Sequence, residues 1–129
     1  MRLQSRYNLP FIELIAENNS RHQHIPAVLI DTGSASTILS ADLLNEIGIF
    51  PEPNDILKTI RGIGGTELVF RKKVQKIIIE GFYASDFEVE IGSMDYGFEI
   101  NGILGMDFLR KFNCFIDLNK MIINFSLNE

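Results

Sequence analysis

The segment Val28-Leu29-Ile30-Asp31-Thr32-Gly33-Ser34 sets three apolar residues against an acid, two hydroxyls and a glycine. A lone carboxylate at the mouth of a core strand is costly unless it is paired or hydrogen-bonded. The residues that follow can meet that need. Gly33 permits close backbone approach and φ values that other residues avoid, and Thr32 and Ser34 bring short hydroxyls that donate or accept locally. The chemistry open to such a group is acid–base work on a water molecule. It needs two close carboxylates, which cannot both ionise. One keeps a proton, and the pair splits its pKa values. The ionised oxygen then takes a proton from water while the protonated partner polarises a carbonyl.

The chain carries one Asp in this setting. Asp42, Asp55, Asp86, Asp95, Asp107 and Asp117 are not followed by Thr/Ser-Gly. At 129 residues the sequence fits a single domain spanning 1–129 with one core, not two lobes. The second carboxylate must therefore come from another copy, and a two-fold dimer would set Asp31 opposite Asp31.

Apolar-apolar-Asp-Thr-Gly-Ser resembles the active-site signature of aspartic proteases. Ile103-Leu104-Gly105-Met106-Asp107 is similar to the apolar-apolar-Gly-x-Asp segment of the single-domain, retropepsin-like branch, which includes retroviral, retrotransposon, cellular and bacterial members. The resemblance implies an all-β fold, a closed β-barrel or sandwich with a flap hairpin and two short helices. It implies a homodimeric endopeptidase that takes a polypeptide in the cleft between subunits and needs no metal or cofactor.

By matching, Asp31 is catalytic, Thr32 hydrogen-bonds across the dimer, and Gly33 lets the carboxylate lie nearly in plane with its partner. Ser34 is expected to donate to a carboxylate oxygen, favouring the ionised form and lowering the working pH. Ile60 to Thr66 matches the flap, which brings Ile60, Gly62, Ile63, Gly64 and Gly65 to the substrate. Leu29, Ile63 and Ile103 are expected to line apolar pockets. Gly105 lets the strand beside the catalytic loop approach it closely, and Asp107 is expected to be a structural acid at a helix start. Retroviral members interleave their termini in a shared sheet. Met121 to Phe125 could do the same here, or complete the chain's own sheet. A silent peptide- or partner-binding module with the same fold is the alternative function, since a fold does not dictate an activity.

The positioning elements follow from pattern. Pro10 to Ala16 reads as a strand, Glu17 to Gln23 as a polar turn, and Ile25 to Ile30 as the return strand. Ser40 to Gly48 reads as a short helix, with Ser40 as N-cap, Asp42 in the first turn and Leu43, Leu44 and Ile47 inward; Pro51 and Pro53 mark a loop. Leu57 to Ile63 and Thr66 to Phe70 flank Gly62-Ile63-Gly64-Gly65 as a hairpin. A phosphate-binding loop is the rival reading. It fails because Glu67 stands where the third glycine should be and no Gly-Lys-Ser/Thr follows.

Val74 to Ile79 and Phe82 to Ile91 read as a further hairpin. Phe87, Val89 and Ile91 face inward there, and Asp86, Glu88 and Glu90 face water. A strand reaching Gly105 precedes a helix over Met106 to Phe112, and Cys114 to Leu118 with Met121 to Phe125 closes the chain as a hairpin.

Composition excludes several other classes. A formal charge of −5 argues against a nucleic-acid or anionic-membrane surface. The cluster Arg71-Lys72-Lys73 with Lys76 reads as a solvated strand or turn. His22 and His24 are read as solvated loop residues rather than metal ligands, since no third ligand lies near them. Cys114 permits no internal disulfide and reads as a buried thiol. No apolar run approaches a membrane span. Met1 to Glu17 shows no signal-peptide core, so the cytoplasm is the expected location.

Overall fold

The structure, a computed structural model, describes residues 1–62 and 65–127. Its strands are β1 (Gln4–Arg6), β2 (Leu9–Asn18), β3 (Arg21–Ile30), β4 (Ile38–Ser40), β5 (Lys58–Gly62), β6 (Gly65–Ile79), β7 (Phe82–Gly92), β8 (Gly102–Leu104), β9 (Phe115–Asp117) and β10 (Ile122–Asn124). Two short helices, α1 (Ala41–Asn45) and α2 (Met106–Lys111), follow β4 and β8. Hydrogen-bonded neighbours run β2-β3-β8-β4-β7-β6, and β6 pairs back onto β2 through Ile15↔Ile78, Ala16↔Ile77 and Glu17↔Lys76. The sheet thereby closes into a barrel, which removes its edges. β1 and β5 lie outside the ring.

Two apolar clusters explain why the strands nearest Asp31 are apolar at successive positions. Val28, Ile30, Leu39 and Leu104 belong to the larger core, whereas Ala27, Leu29, Ile38 and Ile103 belong to a smaller one with Phe11, Met94 and Ile100. Strands covered on both faces lose the alternation of a half-exposed sheet. β3 and β8 run parallel (Leu29↔Ile103, Ile30↔Leu104), with β4 antiparallel on the other side of β8. Within β3 the register to β2 shifts between Ile12 and Leu14, opposite Pro26 and Ala27, where Ala27 has φ 57°. A bulge tolerates a proline that cannot donate to the ladder. Asn101 closes this irregularity, its side chain donating to the Pro26 carbonyl at 2.8 Å and its backbone N–H to Ala27 O at 2.9 Å.

Several sequence expectations change here. The turn expected over Glu17 to Gln23 shrinks to Asn19-Ser20, both at positive φ, as a two-residue hairpin turn requires. His22 and His24 therefore lie on β3 rather than in a loop, exposed, each against a carboxylate of β2: Glu17 at 3.0 Å and Glu13 at 3.1 Å. β6 runs unbroken through the Arg71-Lys72-Lys73 cluster. Helix α1 is shorter than expected; Ser40 caps it, accepting from Leu43 N–H, and Gly48 follows at φ +83°.

Glu90 is the clearest correction. Pattern put it in water with Asp86 and Glu88, yet it is fully buried. The root of the β5–β6 hairpin covers this end of β7. Lys58 Nζ and Arg71 Nε reach Glu90 Oε1 at 2.8 and 3.1 Å, and Oε2 has no hydrogen-bond partner among the described residues. Glu90 holds the Arg71 guanidinium above its ordinary pKa by hydrogen bond and charge, against a smaller opposing effect of burial.

At the C-terminal end, β10 pairs with β9 and also with the N-terminal segment of the same chain. Leu3 N–H donates to Met121 O at 2.8 Å and Ile123 N–H to Met1 O at 2.9 Å. Of the two roles open to Met121–Phe125, this conformation takes the second and completes its own sheet.

Candidate active site

Asp31 stands at the end of β3, where its N–H still donates to Leu104 O of β8 at 3.1 Å. Its carboxylate is held by its own loop: Gly33 N–H donates to Oδ1 at 2.8 Å. A Cβ on residue 33 would sit 3.1 Å from the same oxygen, tight enough to push the carboxylate aside. Asp31 is half-buried, while Thr32 and Gly33 are exposed. Ser34 does not behave as expected. Its hydroxyl donates to Ser36 O at 2.7 Å, because the chain curls back after Gly33, so the local stabilisation of an ionised Asp31 expected from Ser34 is not made.

The loop is gripped from behind by the β8–α2 junction. Met106 N–H donates to Ser34 O at 2.8 Å and Asp107 N–H to Ala35 O at 3.2 Å. A Cβ on Gly105 would fall 2.3 Å from Ser36 O, so no side chain fits where the two backbones cross. Asp107 takes a structural role larger than a helix-start acid. Its Oδ1 accepts from the Thr37 hydroxyl at 2.7 Å and its Oδ2 from Thr37 N–H at 3.2 Å. The Thr37 oxygen in turn accepts from Gly105 N–H at 3.1 Å. Thr37 is fully buried and was missed in the sequence. Its one signal was a hydroxyl placed among the apolar residues entering β4.

Among the substrate-side residues, Ile60 packs on the smaller apolar cluster that contains Leu29 and Ile103. Ile103 is only 1 % exposed and Leu29 4 %, so in this conformation they form a covered floor rather than open pocket walls. Gly62 pairs with Gly65 at the end of the β5–β6 ladder, and Gly65 has φ +110°. Ile63 and Gly64 lie outside the described residues.

Comparison with known proteins now bears on this geometry. The family model described as "gag-polyprotein putative aspartyl protease" matches residues 21–111, a span that contains the Asp31 loop, the β5–β6 hairpin and the Gly105 crossing. The chain belongs to this aspartyl protease family. It is 32% identical over 94 residues, 71% of its length, to a retrovirus-related Pol polyprotein from transposon 412 of Drosophila melanogaster. The chain spans only 7% of that polyprotein. It also superposes, with a TM-score of 0.66 at 18% identity and 95% coverage of both chains, on the crystal structure of a retropepsin-like aspartic protease from Rickettsia conorii. The fold is thus retropepsin-like, as the two motifs implied.

In this aspartyl protease fold a hollow of about 390 Å³ opens beside Thr32, between α2 and β9, with Met106, Arg110 and Ile116 among its lining. Cys114 borders it. Burial pushes its thiol up to about 11, which leaves it protonated at neutral pH and unsuited to act as a nucleophile. No group of three or more metal-ligating side chains occurs among the described residues.

Proposed function

We propose that the chain is an aspartic endopeptidase whose working form is a homodimer, with Asp31 of each copy supplying half of the site. The observation that carries this reading is the state of the Asp31 loop. It is braced from behind by Thr37, Gly105 and Asp107, yet its apex, Thr32-Gly33, is left exposed by its own chain. Among the described residues no other carboxylate is hydrogen-bonded to Asp31. A rigid half-site with an open face suits a two-fold partner. Beside it, β9 lines the hollow with Ile116 and leaves Phe115 62% exposed.

In the dimer one Asp31 carboxylate is ionised and one protonated, so the pair titrates with joint pKa values. The ionised group draws a proton from the attacking water. The protonated one donates to the scissile carbonyl oxygen. The first carboxyl then passes the water's proton to the amide nitrogen as the C–N bond breaks, and the intermediate's hydroxyl returns its proton to the second carboxylate, with no covalent enzyme adduct. Thr32 hydrogen-bonds to its counterpart loop. The polypeptide lies extended and pairs its backbone with the β5–β6 hairpin, its side chains alternating between pockets.

The test is cleavage of a peptide library between pH 4 and 7 by wild type and Asp31→Asn. Cleavage by wild type that is blocked by statine-type transition-state analogues and absent in Asp31→Asn supports the reading. Equal cleavage by the variant contradicts it, and peptide binding by both forms without cleavage would leave a binding module of the same fold.

A further inference from the structure

Glu67 is the residue that spoiled the phosphate-loop pattern, and the site as described above gives it no task. It lies on β6 directly opposite Ile60 in the β5–β6 ladder. Its carboxylate leaves the hairpin and lies over Gly92 at the end of β7, where a Cβ would come within 2.6 Å of Oε2. There it meets three donors from the 93–96 loop. Tyr96 Oη donates to Oε1, and Ser93 Oγ and Met94 N–H each approach Oε2 at 3.4 Å. Burial, with the Glu67 hydrogen bond and charge adding to it, raises the Tyr96 hydroxyl well above its ordinary pKa, so it stays a donor. Tyr96 and Ile60 both pack on the cluster that holds Leu29, Met94 and Ile103.

We infer that Glu67 is a positioning residue, a latch that fixes the β5–β6 hairpin to the 93–96 loop and so sets its height above the Leu29–Ile103 floor. The inference rests on the reading of that hairpin as the element that covers a bound peptide. One rung does the work from both strands: Ile60 by apolar contact from β5, and Glu67 by hydrogen bonds from β6. Gly92 makes the seat possible, since any side chain there would displace the carboxylate. A carboxylate accepting from a tyrosine hydroxyl is a charge-assisted bond, stronger than its neutral counterpart.

The test compares wild type with Tyr96→Phe, Glu67→Ala and Glu67→Gln. Amide hydrogen exchange is followed over residues 58–62 and 65–69, and KM and kcat are measured on a cleaved peptide. Tyr96→Phe and Glu67→Ala should speed exchange in the hairpin about tenfold and raise KM about tenfold, with kcat within about twofold of wild type. Exchange in β2 and β3 should stay unchanged. Glu67→Gln keeps an acceptor of the same shape and should fall between wild type and Glu67→Ala.

Unchanged hairpin exchange, or exchange accelerated throughout the barrel, would overturn the latch. The exchange arm needs no turnover. The expected exchange in a protein that cleaves nothing would sustain the latch and sink the protease reading. Cleavage without any exchange effect would do the reverse.

Discussion

Thr37 joins three groups that would otherwise compete for water inside the protein: its own hydroxyl, the Asp107 carboxylate and Gly105 N–H. Thr37→Val keeps the shape and the backbone bond to Asp107 Oδ2, but it removes the hydroxyl donor to Oδ1 and leaves Gly105 N–H without its acceptor. It should lower stability by about 2 kcal/mol in urea denaturation, with Thr37→Ser costing less. Gly105→Ala should be worse, because the clash at 2.3 Å is with the Ser36 carbonyl and backbone cannot swing aside.

Cys114 gives a pH signature. Its thiol titrates from 9.0 in the open chain and about 11 in the fold. The folded state holds the proton more tightly, so stability is fully present below pH 9 and declines up to about 11. Cys114→Ser should remove that part of the alkaline decline when denaturation is followed from pH 8 to 11. The sequence displayed Gly105 and Asp31 because their motifs are short and contiguous. Thr37 stayed hidden because a threonine entering a strand looks like any β-branched strand former.

At the scale of elements, β7 shows where periodicity stops being informative. A period of two correctly puts Phe87, Val89 and Ile91 inside and leaves Asp86 and Glu88 in water, but it cannot see that another hairpin lies over Glu90. The two sides of this ion cluster should respond unequally. Lys58 and Arg71 are half-exposed and can turn to solvent, whereas Glu90 cannot. Removing both cations in Lys58→Met/Arg71→Met leaves a buried carboxylate unpaired and should cost about 3 kcal/mol or more, against about 1 kcal/mol for Glu90→Gln. Equal losses in the two denaturation curves would contradict this. Turn length was misjudged for a related reason: polar residues from Glu17 to Gln23 read as loop, but Glu17↔His22 and Asn18↔Arg21 are paired rungs, with Arg21 and His22 exposed and Glu17 and Asn18 half-buried.

For the whole molecule, the closing pairing of β6 onto β2 left no local trace in the sequence, since it joins segments some sixty residues apart through ordinary strand residues. It was anticipated only through the family resemblance. Met1–Leu3 pairs with β10 within one chain in this conformation. In the proposed dimer, the exposed Thr32-Gly33 apex and Phe115 of β9 would be the faces open to a second copy.

The most direct test of a site shared between two chains is to hold wild type fixed and add Asp31→Asn under conditions in which subunits exchange. A mixed pair has one competent carboxylate and should be silent. A ninefold excess of Asp31→Asn should therefore reduce peptide cleavage to about a tenth of its starting value, following the fraction of wild-type chains. Cleavage that stays constant through the titration, although sizing shows that mixed dimers form, would mean that each chain works alone and would contradict the account.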